Sequence, residues 1–155
     1  MKMVSAIFRP VIMIEKFKNQ AQGKKDLAGV LYNRGTANAK KGNLAQGIED
    51  FTKSIEIKPD DVMAYNNRGS AYAQQGNFIQ ALADFTKAID LSPNDPVAYH
   101  NRAVVFYQFK EYDKAWDDVH KVQKIGATVN PEIIRMLKEV SGEQISRSSK
   151  TACST

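Results

Sequence analysis

The chain has one cysteine in 155 residues, Cys153, so it cannot form an intramolecular disulfide or a metal site built on several thiolates. That fits a reducing compartment. No apolar run approaches the roughly 18 residues of a membrane-spanning helix. The most apolar stretch, VSAIFRPVIMI at residues 4–14, is interrupted by Arg9 and Pro10 and precedes no small-x-small cleavage site, so it does not read as a secretory leader. A cytoplasmic location is the expectation. Proline and glycine are sparse, at five and nine residues, which excludes collagen-like and broadly disordered classes. Histidine is sparser still, and no HExxH, GxSxG or phosphate-loop pattern occurs. With His100 and His120 twenty residues apart and no catalytic constellation in sight, the sequence implies no enzyme, no cofactor and no metal.

Charge is also scarce where a nucleic-acid reader would need it. The net charge of +5 comes almost entirely from residues 1–27, with six Lys/Arg against two Asp/Glu, whereas residues 28–129 balance at twelve against twelve. A neutral middle gives no reason to expect nucleic acid as a partner. The basic, apolar arm at 1–27 can touch an anionic lipid surface and can form an extra helix from its apolar positions between Val4 and Phe17.

What the sequence has is repetition. AYNNRGSAYAQQGN at 64–77 has a near copy in LYNRGTANAKKGN at 31–43 and a looser one in AYHNRAVVFYQFKEY at 98–112. A shift of 34 residues aligns Asn33, Asn67 and Asn101, then Arg34, Arg68 and Arg102, then Gly42 with Gly76, Phe51 with Phe85 and Val119, and Pro59 with Pro93. Three units follow, at 28–61, 62–95 and 96–129, and each reads as two amphipathic helices joined by a turn. Gly76 sits where a left-handed residue ends a helix, and Asp61 and Asp95 are placed as N-caps, the latter before Pro96. The segment NPEIIRMLKEVSG supplies a further helix over 130–142, with Ile133, Leu137 and Val140 as its apolar stripe, and 143–155 is a polar tail expected to be disordered.

These residues resemble the tetratricopeptide repeat (TPR) family, whose 34-residue unit places a large residue, Gly and Tyr in its first helix and Ala, an aromatic, Ala and Pro in its second. The second unit matches through Tyr65, Gly69, Tyr72, Gly76, Phe78, Ala81, Phe85, Ala88 and Pro93. The first departs at Asn38, Gly47 and Ser54, and the third at Lys110, Val119, Val122 and Ala127. From these departures we expect looser packing at the array's ends and a different helix-to-helix turn at Lys110. The resemblance implies an all-α fold, a right-handed α-solenoid of three helix-turn-helix units with a C-terminal solvating helix.

It also implies that the first helix of each unit lines a concave groove. On that face stand Gly29, Tyr32, Asn33, Thr36 and Lys40, then Met63, Asn66, Asn67, Ser70 and Gln74, then Val97, His100, Asn101, Val104 and Gln108. The lining is mostly neutral and hydrogen-bonding. A carboxamide offers donor and acceptor together, so the row Asn33, Asn67 and Asn101 suits the backbone of an extended peptide. In TPR proteins that bind extended peptides, asparagines at this place do that work. The carboxylate clamp of chaperone-binding TPR domains needs Lys, Asn, Asn, Lys and Arg where this chain has Tyr32, Thr36, Asn67, Val97 and Asn101; only Asn67 agrees.

Arg34, Arg68 and Arg102 each precede an aspartate by sixteen residues, namely Asp50, Asp84 and Asp118. Arginine–carboxylate pairs can be bidentate, so the sequence predicts structural ion pairs, with Asp50 to Arg68 and Asp84 to Arg102 across the unit junctions favoured. The functional expectation is a noncatalytic interaction scaffold that binds a peptide or partner helix of unspecified identity in its groove. The competing expectation is self-assembly, a homo-oligomer built through the apolar arm.

Overall fold

The protein is described here by a computed structural model covering residues 4–140. Seven helices follow one another: α1 (Val4–Lys40), α2 (Leu44–Ile57), α3 (Val62–Gln74), α4 (Phe78–Leu91), α5 (Pro96–Gln108), α6 (Tyr112–Lys124) and α7 over 131–140. No strand occurs among the described residues. The tail at 143–155, Cys153 and Gly142 lie outside them.

The turn within each helix pair is set by one left-handed residue. Gly42 and Gly76 have φ of +85° and +78°, and the amides of Asn43 and Asn77 each reach back five residues, to the carbonyls of Asn38 and Tyr72, at 2.9 Å. The third unit makes the same turn without glycine. Lys110 takes φ +61° and Glu111 N–H bonds the Phe106 carbonyl at 2.9 Å, which corrects the expectation of a different turn there. The closing hydrogen bond and the packing on either side hold a lysine in a conformation that L residues avoid.

Between units the chain enters each new helix through a side-chain cap. Asp61 accepts from Ala64 N–H at 3.2 Å, Asp95 from Val97 N–H at 3.0 Å, and Asn130 from Glu132 N–H at 2.9 Å. Pro96, at the first position of α5, has no N–H to leave unsatisfied.

Within each pair the helices approach very closely. A Cβ added at Gly69 would stand 2.8 Å from the Phe85 ring, and one at Gly35 would stand 3.0 Å from the Phe51 ring. The third unit has Ala103 there, and opposite it Val119 replaces the aromatic; both are buried. Volume is thus conserved across the contact. The other departures from the family pattern are also filled. Ser54, fully buried, donates to the Ala28 carbonyl at 2.9 Å; Asn38 donates to Asp50 at 3.1 Å; Val119 and Val122 join Ile133 and Leu137 of α7 in one apolar cluster. The expected looseness at the ends is therefore not what the packing shows.

Each helix packs on the next in sequence. The first helices also touch one another, α1 with α3 and α3 with α5, whereas α2, α4 and α6 make no such contacts. First helices that converge while second helices splay give a curved array with the first helices on its concave side. One expectation about the N-terminus changes. Residues 4–27 do not form a separate extra helix: α1 runs without a break from the arm into the first unit, because NQAQGKKDLAGVL at 19–31 is rich in helix formers and holds no turn signal.

Two substitutions test this packing. Gly69→Ala should lower stability by about 1–3 kcal/mol, the usual cost of overpacking, and the added Phe85→Val should recover part of it, since the pair then copies Ala103 and Val119. Lys110→Gly should raise stability by up to about 1 kcal/mol, the left-handed cost less the entropy glycine adds to the unfolded chain. Chemical denaturation of the three variants beside the parent chain measures both.

Candidate functional site: the concave face

Neighbouring first helices are stitched together by the residues that face the groove. Asn67 on α3 donates through Nδ2 to the Tyr32 hydroxyl at 2.9 Å and to Thr36 Oγ1 at 3.5 Å, both on α1. Asn101 on α5 donates to Ser70 Oγ on α3 at 3.5 Å. These bonds use the amide nitrogens and leave the amide oxygens of Asn67 and Asn101 pointing at no described protein donor. Asn33 is exposed, and its side chain bonds nothing among the described residues. Thr36 and Ser70 turn their hydroxyls onto the carbonyls one turn back, Tyr32 and Asn66, at 3.0 and 2.9 Å.

Two clefts open along this face. The first, about 290 Å³, lies between α1 and α3 and is lined by Thr36, Lys40, Asn67, Ser70 and Gln74, with Phe51 behind them. The second, about 320 Å³, lies between α5 and the entry to α7 and is bordered by Val97, His100, Val122, Val129 and Pro131. No charged residue lines the second cleft. Met63, Val97 and Val104 are exposed apolar groups on the first helices, and Gln74 and Gln108 are exposed amides. His100 is half-buried, and its dehydration lowers its pKa below the ordinary 6.5.

One expected groove residue is not available. Asn66 is 5% exposed, closed over by the turn into α5, where its Nδ2 donates to Asp95 at 3.3 Å. Its neighbour Asn67, one residue on, turns to the open side.

The arginines turn away from the groove, and their pairing differs from the expectation. Each bonds the aspartate of its own unit in a two-pronged contact: Arg34 with Asp50 at 2.9 and 2.5 Å, Arg68 with Asp84 at 2.8 Å twice, and Arg102 with Asp118 at 2.9 and 2.7 Å. A sixteen-residue separation spans one hairpin and places the two groups side by side on its paired helices. What crosses the junction is the arginine's remaining nitrogen. Arg68 Nη1 donates to Thr52 at 3.1 Å, and Arg102 Nη1 to Thr86 at 3.2 Å, each threonine lying on the preceding unit. Sequence reasoning missed both threonines, although they recur by 34 and stand two residues after Asp50 and Asp84. The Arg34 guanidinium holds the Asp50 carboxyl below the usual carboxylate range.

Family models match in tandem: "Tetratricopeptide repeat" over residues 62–95 and again over 85–117, and "TPR repeat" over 35–76. Their combined span, 35–117, is more than half the chain, and the repeat geometry agrees, so the protein belongs to the tetratricopeptide repeat family. Among solved structures it is similar to the first TPR of Spaghetti (RPAP3) bound to an HSP90 peptide SRMEEVD, at 25% identity and TM-score 0.71, covering 78% of this chain and 95% of that one. The first TPR domain of human RPAP3 gives 25% and 0.70, covering 81% and 98%. The TPR2B domain of yeast Sti1, from its complex with pHsp70, gives 28% and 0.66, covering 77% and 98%. No curated protein matches the sequence significantly.

The junction contact yields a double-mutant test. Thr52→Val and Arg68→Ala should couple by about 0.5–1.5 kcal/mol, the net value of one hydrogen bond. Because Asp50 has a depressed folded pKa, its contribution is complete above the ordinary carboxylate pKa and is lost as pH falls through the lower folded value. Urea titrations on the acid side should show that loss in the parent and its absence in Asp50→Asn.

Proposed function

We propose that the protein is a noncatalytic interaction module that holds an extended, largely uncharged segment of a partner protein along its concave face. The observation that carries this reading is the lining itself: amides at Asn33, Asn67 and Asn101 recur at every unit, Asn67 borders the first open cleft, and the second carries no charge. In this reading the amide oxygens of Asn67 and Asn101 accept from a peptide backbone, and Asn33 both donates and accepts. The apolar cleft at Val97, His100 and Val129 suits one aliphatic or aromatic side chain, and the exposed Met63 and Val104 suit others.

Peptide capture is supported by a similar structure, since the first TPR of Spaghetti is bound to SRMEEVD. The acidic character of that peptide does not carry over. Tyr32, Thr36, Val97 and Asn101 supply none of the cations or the first amide of a carboxylate clamp, and a terminal carboxylate set against Val97 would lose its hydration without a counter-charge. If each amide contact nets about 0.5–1.5 kcal/mol, the row gives a few kcal/mol, and micromolar binding needs about 8, so side chains in the clefts must supply the rest.

Titration with two probes tests this. SRMEEVD should bind at least tenfold more weakly than peptides selected from a random library against the groove, and the selected peptides should share an apolar residue and tolerate amidation of the C-terminus. Combined Asn33→Ala, Asn67→Ala and Asn101→Ala should weaken those peptides by about tenfold or more, a loss of at least about 1.4 kcal/mol. An apolar occupant dehydrates His100 further, so binding should weaken as pH falls through the depressed pKa of unliganded His100, and His100→Gln should flatten that dependence. Tight SRMEEVD binding that requires its free carboxylate would overturn the proposal.

A further inference from the structure

The face of α1 that continues past the array is bare where the equivalent faces of α3 and α5 are covered. Ala64 and Ala98 are fully buried against the preceding unit, but Val30 at the same place is 62% exposed. The Arg68 and Arg102 side chains are 16% and 18% exposed, and that of Arg34 is 60% exposed. Ala71 and Val105 are buried while Ala37 is exposed. A helix therefore fits this face, and the first unit has no preceding one to provide it.

The same side of α1 carries Met13, Phe17 and Leu27, which are 59%, 63% and 50% exposed. With Val30 they fall within a sector of about 140° on the helix. Their order is nearly mirror-symmetric about Gln22: Phe17 and Leu27 lie five residues to either side, and Met13 and Val30 nine and eight. We propose that this face is a self-association surface, on which α1 of a second copy of the chain lies antiparallel with its two-fold axis near Gln22. Met13 then meets Val30 of the other copy and Phe17 meets Leu27, twice over, as an isologous interface requires. Gly23 lies in that sector one residue from the axis, and nothing lies within 4 Å of where a side chain on it would begin, so two helices can approach closely there. Lys16 comes beside Asp26 of the second copy, giving two ion pairs of opposite charge. A membrane surface is the poorer match. A bilayer surface offers Asp26 no cation, whereas Lys16 of a second copy does, and among the described residues no helix is long and apolar enough to cross a bilayer.

This surface is independent of what the groove holds, and its test needs no peptide. Sedimentation of the full chain over about a hundredfold range of concentration should show a monomer–dimer equilibrium. Phe17→Glu with Leu27→Glu, at exposed positions that leave the helical signal intact, should return it to monomer. In a Cys153→Ser background, Met13→Cys with Val30→Cys should oxidise to a disulfide-linked dimer, while Met13→Cys alone should not. The two positions lie about 25 Å apart along one helix and cannot bridge within a copy. A monomer at every concentration, a dimer indifferent to the two glutamates, or cross-linking by Met13→Cys alone would each overturn the proposal. So would a monomer that cosediments with vesicles of anionic phospholipid through Phe17.

Discussion

The close approach of the two helices within each unit, at Gly35, Gly69 and Ala103, governs what the rest of the molecule can do. A ring or a valine fills the opposite position, and one methyl group at Gly69 would already collide with Phe85. At that separation the arginine one residue before each small residue reaches the aspartate on the paired helix with both prongs, and at Arg68 and Arg102 the last nitrogen reaches the previous unit. The angle between successive units then brings the first helices together and holds the groove open on their side.

The Asn-Arg pair that recurs at 33–34, 67–68 and 101–102 divides its work accordingly. Adjacent residues on a helix point about 100° apart. At 68 and 102 the arginine lies on the junction side, shielded and neutralised by aspartate, with Tyr65 and Tyr99 beneath the guanidinium at 5.6 and 5.7 Å. The asparagine lies on the groove side, where it ties one first helix to the next and still offers its oxygen. The arginine thus serves cohesion alone, while the asparagine both ties the helices together and carries the proposed recognition role.

Much of this was legible in the sequence, because a 34-residue period, an apolar spacing and a cap residue are each local signals. The helices of the three units, the caps at Asp61, Asp95 and Asn130 and the apolar stripe of α7 follow from them. The partners of the arginines did not follow: whether Arg68 meets Asp84 or Asp50 depends on the distance between helices, which spacing does not fix. The burial of Asn66 depends on how the turn into α5 folds over it, again a matter of three dimensions. The continuous α1 was hidden by the change in composition at its arm, since a shift in charge is not a break in helical propensity. Lys110 shows the converse, a local signal overruled by its surroundings, with the closing hydrogen bond imposing on lysine the backbone that glycine adopts in the other two units.

The most direct test sets Asn67→Ala beside Arg68→Ala, measuring for each the stability in urea and the affinity for a peptide selected against the parent groove. Arg68→Ala leaves Asp84 buried without its partner and should cost about 3 kcal/mol of stability, with affinity unchanged in the folded fraction. Asn67→Ala should cost about 1 kcal/mol of stability or less, the net value of its hydrogen bonds, and should weaken the peptide severalfold. The reverse pattern, with binding lost in Arg68→Ala at unchanged stability and retained in full in Asn67→Ala, would contradict the division of roles on which this account rests.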